Sequence, residues 1–285
     1  MSRQSNIQVF EDTMRLCREN PDLKNAIAKS IQEQRLYLGE NDLNLPFLSI
    51  FVQDCQVIVS QKRTFEAAAF YARQPGFTVA VHNFASASNP GGGVIHGSNA
   101  QEEALCRCST LYPALKDEAM WEGFYLPHRA ARNPLHNDDC IHTPGIVVFK
   151  SDTEVPALLP ENEWYRVNVV TCAAPNLRKE PANLMNPGDL GSVDDLTDAQ
   201  LQALHESRLR RILTVMANHH AQVAILGAFG CGAFRNPPEV AAAAAAQVLP
   251  AFRKTFRIIE FAVFCRPGDS ANHDAFHTAL AHFTK

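Results

Sequence analysis

NPGGGVIHGSNAQEEALCRC, residues 89–108, lies between an apolar run that reads as a strand and one that reads as a helix. Three consecutive glycines cost conformational entropy, so a backbone task stands behind them. Two adjacent glutamates, Glu102 and Glu103, then open the helix, where its dipole favours ionised carboxylates. A second stretch, GAFGCGAFRNPPE at residues 227–239, repeats the order of strand, glycines and helix. In open α/β sheets ligands bind beyond the carboxyl ends of strands. Amides of Gly-rich turns beside a helix N-terminus form a nest for a phosphate or diphosphate. Neither stretch has the Lys-Ser/Thr of a P-loop, and Gly230-Cys231-Gly232 is only a fragment of a dinucleotide fingerprint. Tight turns also account for glycines of this kind, but two such loops at strand ends favour a nucleotide-sized ligand.

Outward from these loops, the chain alternates short apolar strands with helices. Strands are expected at 55–60, 77–86, 145–150, 166–175, 221–230 and 256–265. Helices are expected at 63–73, 102–115, 196–219 (with Thr197 as N-cap), 236–252 and 270–283. Residues 5–38 read as two amphipathic helices broken at Glu-Asn-Pro, with a polar turn after them. Residues 121–145, rich in Pro, Asn, Asp and His, read as a long surface excursion. The alanines at 241–246 read as a helix face pressed on a sheet. Near-continuously apolar strands between helices indicate an α/β sheet covered on both faces.

At 285 residues the chain allows one large domain, or one with an appendage. Its net charge of −4 gives no general attraction to nucleic acid or an anionic membrane. No apolar run is long enough to cross a bilayer, and the polar first residues lack a signal-peptide core. The eight cysteines form no CxxC pair, so reduced thiols are expected, in the cytoplasm or in a eukaryotic nucleus.

The glutamate pair adds chemistry. Repulsion and burial push at least one carboxyl pKa upward, and a carboxyl protonated near neutrality can act as general acid toward a glycosidic oxygen. Adjacent helical residues point about 100° apart, so the pair does not flank one bond as in an ordinary glycosidase. One acid doing chemistry beside one gripping a sugar hydroxyl fits better; two solvated first-turn glutamates are the bland alternative. His128, His136, Cys140 and His142 have no standard zinc spacing, and no metal is expected. Cys231 lacks an obvious local base, and Trp121 and Trp164 read as packing residues.

Gly91-Gly92-Gly93, seven residues, then Gln101-Glu102-Glu103 resembles the GGG…QEE signature of poly(ADP-ribose) glycohydrolases. GCGAF at 230–234 resembles that family's second phosphate loop, and residues 5–31 and 128–139 resemble its microbial-type branch. The resemblance implies a macrodomain-like three-layer α/β/α sandwich with a mixed central sheet. Residues 1–50 would be a helical extension and 51–285 the catalytic core. It implies hydrolysis of ribose–ribose bonds in poly(ADP-ribose), mainly from chain ends, with ADP-ribose as product and no cofactor. Glu103 would be the catalytic acid and Glu102 the grip on a ribose hydroxyl. Gly91, Gly92, Gly93 and Val94 would pass their backbone close to the ribose and diphosphate, and Gln101 would be a further substrate-binding residue. Gly230, Cys231, Gly232 and Ala233 would cradle the diphosphate. Phe234 would pack beside the scissile ribose, and Asn89 would bond the distal ribose. The implied partners are poly(ADP-ribose) or ADP-ribosylated protein, without direct nucleic-acid or membrane binding. Hydrolysis of mono-ADP-ribosyl protein and non-catalytic ADP-ribose binding are the alternatives.

Overall fold

A computed structural model describes residues 2–39, 50–191, 193 and 196–284. Helices α1 (Arg3–Glu19) and α2 (Pro21–Glu33) come first, followed by strands β1 (Arg35–Tyr37) and β2 (Gln56–Ser60). Then follow α3 (Thr64–Ala72), β3 (Val79–Ala85), α4 (Gln101–Cys108), α5 (Leu111–Leu115), α6 (Glu118–Met120) and α7 (Leu126–Ala131). The remainder is β4 (Cys140–Val148), β5 (Tyr165–Ala173), α8 (Asp198–Asn218), β6 (Val223–Leu226), α9 (Pro238–Phe252), β7 (Ile258–Ala262) and α10 (Ala271–Leu280).

Local chemistry fixes several of these boundaries. Asn20 ends α1 and caps α2, its side chain accepting the Asp22 and Leu23 amides, with Pro21 at the first helical position. Thr197 caps α8 in a reciprocal box with Gln200, as its sequence predicts.

The seven strands form one sheet in the order β1-β4-β5-β3-β6-β7-β2. β5, β3, β6, β7 and β2 run parallel, while β4 is antiparallel to both β5 and β1. Side chains alternate faces. Val79, Val81, Val223 and Ile225 pack with Phe65, Leu105 and Leu111 on one side. Ala80, Ala224 and Leu226 pack with Ile212, Ala241, Ala245 and Val248 on the other. The sheet is therefore a mixed central layer between helices, with the alanine face of α9 seated on it. Cys17, Leu23 and Ala26 of the first two helices pack on Val147 and Phe149 at the β4 side.

The structure corrects three details. Residues 121–145 are not a surface excursion: Trp121–Tyr125 form a π turn, α7 follows, and β4 begins at Cys140. Phe124, Tyr125, Cys140 and Ile141 are buried. The polarity that imitates a loop is satisfied internally, as where Arg208 bonds Asp138 at 3.2 Å. β4 carries a bulge between Thr143 and Ile146, because Pro144 has no N–H to donate and Gly145 sits at φ +67°. The helix expected over 102–115 breaks at Ser109, which bridges to Val148. Residues 35–37 leave the helical run to pair with β4. The polar turn after residue 38 falls largely on 40–49, outside the described residues.

Candidate active site

β3, β5, β6 and β7 all end on the same edge of the sheet, and a cavity of about 650 Å³ opens there. Gly92, Gln101, Glu102 and Glu103 line it from one side and Gly230, Gly232, Ala233 and Phe234 from the other. The two glycine loops thus converge on one space.

α4 aims its first turn into this space. Gln101 ties the helix to β3: its Oε1 accepts the Phe84 amide at 2.9 Å, and its Nε2 donates to the His82 carbonyl at 2.7 Å. Glu102, only 3% exposed, accepts the Ser86 amide at 2.8 Å on Oε2 and the Asn83 amide group at 3.2 Å on Oε1. Burial raises its pKa to about 8, against the Ser86 N–H that lowers it, and the neighbouring charge of Glu103 adds to the rise. Glu103, 7% exposed, accepts the Gly93 amide at 2.9 Å on Oε1 and the Ala100 amide at 2.8 Å on Oε2. The two carboxylates are therefore divided by their partners: one is held against β3, the other against the glycine loop. They are not solvated first-turn residues.

The glycine triplet serves the protein's own packing. Gly92 sits at φ +56°, and a β-carbon there would stand 2.7 Å from Glu103 Oε1. At Gly91 (φ +68°) it would stand 2.6 Å from the Tyr112 ring, and at Gly93 it would collide with Ser98 Oγ. Val94 is fully buried in the core, and its amide donates to Gly91 O at 3.2 Å. Asn89 lies at the edge of the loop, with Oδ1 accepting from Arg129 Nη2 at 2.6 Å.

The opposite loop is locked by Asn236, whose Nδ2 donates to Pro175 O at 2.7 Å and Gly230 O at 3.1 Å. Gly230 (φ +80°) leaves no room for a β-carbon, which would stand 2.6 Å from that amide; a β-carbon on Gly232 would meet open space. Among the described residues the amides of Gly230, Gly232, Ala233 and Phe234 have no intramolecular acceptor. This is the donor arrangement of an anion nest. Cys231 is turned away from nucleophilic chemistry, since burial pushes its thiol up to about 12.

Other cavity residues carry weaker sequence signals. Arg178, Met185 and Asn186 come from the connection after β5, and Val263 and Phe264 from the end of β7. The strand-end rule that singles out the β3 and β6 loops extends to these two ends as well. Among the described residues no group of three or more His, Cys, Asp or Glu is arranged to hold a metal ion. His128 instead lies 2.7 Å from Phe124 O, His136 lies 2.9 Å from Asp189, and His142 stacks on His219 with centroids 3.4 Å apart. None of the eight cysteines is in a disulfide, and no described helix is long and apolar enough to cross a membrane.

The doubly covered mixed sheet thus carries paired acids at one strand-end loop and an amide nest at the next. Residues 4–151 match the family described as microbial-type PARG, catalytic domain. The chain belongs to this family of poly(ADP-ribose) glycohydrolases. The poly(ADP-ribose) glycohydrolase of Thermomonospora curvata is 29% identical, with 97% of this chain and 99% of that one covered at a TM-score of 0.81. The same enzyme bound to the inhibitor ADP-HPD is 30% identical, covering 96% and 99% at 0.79. The Deinococcus radiodurans enzyme in complex with ADP-ribose is 30% identical, covering 91% and 98% at 0.76. A comparison with curated proteins gives no match.

Proposed function

We propose that the protein hydrolyses the ribose–ribose O-glycosidic bonds of poly(ADP-ribose), mainly from chain ends, and releases ADP-ribose. The observation that carries this reading is the pair of buried carboxyls facing an amide-lined loop across one cavity. A pure binder has no need of paired buried acids there. The diphosphate of the terminal unit fits the free amides of Gly230, Gly232, Ala233 and Phe234, and its distal ribose lies toward Glu102 and Glu103.

Glu103 is the general acid and base. The glycosidic oxygen takes its proton as the bond to the anomeric carbon breaks, and the adenosine-side ribose leaves with a free hydroxyl. Positive charge develops on the ADP-ribosyl group, and the carboxylate that Glu103 becomes on giving up its proton stabilises it. Water then attacks the anomeric carbon and gives its proton to the Glu103 carboxylate, restoring the acid. Glu102, protonated up to about pH 8, donates a hydrogen bond to a ribose hydroxyl and holds the sugar in place.

One observation favours a second assignment: the carboxyl with the elevated pKa is Glu102, which makes it a candidate for the donated proton. Parallel kinetics of Glu102→Gln and Glu103→Gln decide between them, because the acid's variant loses turnover while the gripping residue's variant also loses substrate affinity. The reading as a whole is tested by incubating the protein with poly(ADP-ribose) and with mono-ADP-ribosylated protein. ADP-ribose released from the polymer supports it. Release from the mono-modified protein alone shifts the substrate, and release from neither overturns hydrolysis.

A further inference from the structure

A second cavity, of about 430 Å³, lies on the far side of the glycine loop, and Gly92 lines both spaces. Nothing in the reaction described so far uses it. Its walls have two characters. Pro90, Tyr112 and Trp121 make an apolar floor, and Ile95 adds a large aliphatic side chain that is 50% exposed directly beside the catalytic loop. The exposed Lys116 stands over the Tyr112 ring of this floor, its ammonium 5.8 Å from the centroid. Glu118 faces the same space and offers an acceptor for hydroxyls.

The cavity is also tied mechanically to the site. Arg129 lies over the Trp121 ring at 4.6 Å and reaches Asn89 and Ser88, bonding each at 2.6 Å. Trp121 is backed in turn by Tyr125, with ring centroids 6.5 Å apart and nearly parallel. The floor is therefore rigid before anything binds, which lowers the ordering cost of binding.

An apolar, aromatic platform with a lysine ammonium over it suits a base and sugar carrying phosphate. We infer that this cavity is a subsite for the leaving chain: it takes the adenosine whose ribose hydroxyl is released, with Lys116 meeting that unit's diphosphate. The inference rests on the glycohydrolase reading. In it, the scissile bond lies between the two cavities at Gly92, with the departing ADP-ribose in the larger one and the remaining polymer in the smaller. The subsite makes the enzyme select a polymer over an ADP-ribose unit with a small leaving group.

Lys116→Glu and Ile95→Ser test this, since both side chains are exposed and neither belongs to the catalytic pair. The measurements are KM for poly(ADP-ribose) and the dissociation constant of ADP-ribose, which fills the larger cavity alone. Each variant is expected to raise KM for the polymer by about three- to tenfold, the scale of one lost stacking or phosphate contact. ADP-ribose affinity stays within about twofold. Unchanged KM in both variants, or a rise in KM matched by an equal loss of ADP-ribose affinity, overturns the subsite while leaving the glycohydrolase reading standing. A wild-type protein that neither binds ADP-ribose nor cleaves the polymer overturns both.

Discussion

Glu103 Oε1 accepts the Gly93 amide at 2.9 Å and occupies the space that a β-carbon on Gly92 would invade. The Glu103 carboxylate and the glycine triplet are thus one unit: the loop orients the acid, and the acid closes the loop.

Gly92→Ala is therefore expected to act on turnover. The methyl would stand 2.7 Å from the carboxylate oxygen at a backbone φ of +56°, so either the acid or the loop must shift. A displacement on the order of 1 Å costs roughly 10²-fold in rate. Steady-state kinetics with poly(ADP-ribose) reads this, and turnover within about threefold of wild type contradicts it.

Gly230 and Gly232 should respond differently to the same change. Gly230→Ala forces a β-carbon to 2.6 Å from Asn236 Nδ2, so both melting temperature and ADP-ribose affinity fall. Gly232→Ala meets open space, so its melting temperature holds while a methyl on the nest weakens ADP-ribose by about tenfold or more. Calorimetric titration with parallel melts separates the two. Full affinity in Gly232→Ala removes the diphosphate from this loop.

Glu102 sets a pH dependence with a definite sign. Its folded-state pKa of about 8 exceeds the ordinary 4.5, so between those values the folded protein binds more protons than the unfolded chain. The stability this contributes is full below about pH 4.5 and is lost as pH rises through about 8. Glu102→Gln, neutral throughout, should flatten this part of the melting-temperature profile and gain on wild type most at alkaline pH. Parallel wild-type and variant profiles from pH 5 to 9 refute the shift.

Asn6 connects the first helix to the glycine loop, its buried Nδ2 donating to Gly97 O at 3.0 Å. Gly97 in turn has no space for a side chain, because the Arg3 carbonyl lies against it. Asn6→Ala is expected to cost about 1–3 kcal/mol, the penalty for a buried carbonyl left unpaired. Denaturant melts measure this, and a loss below about 0.5 kcal/mol would make the first helix a loose appendage.

The sheet was legible because its strands are short apolar runs, and because α8 carries its own cap in Thr197 and Gln200. The site was legible at its two glycine loops. The region around β4 was not, since His136, Asp138 and Asn137 look like surface residues until Asp189, Arg208 and His128 are brought to them from elsewhere in the chain. The same limit applies to the glycine triplet. Sequence assigns its missing side chains to a ligand's approach, whereas Tyr112, Ser98 and Glu103 supply the steric reason from within the fold. Partition of the acids into a β3-bound Glu102 and a loop-bound Glu103 likewise depends on hydrogen bonds that no spacing reveals.

The most direct measurement is turnover of poly(ADP-ribose) by Glu103→Gln, with ADP-ribose affinity determined on the same folded preparation. The expected result is a fall in kcat of roughly 10²–10⁴, the usual range for a lost acid and base group, with affinity within a few-fold of wild type. Near-wild-type kcat in that variant would contradict the assignment of Glu103 as the proton donor.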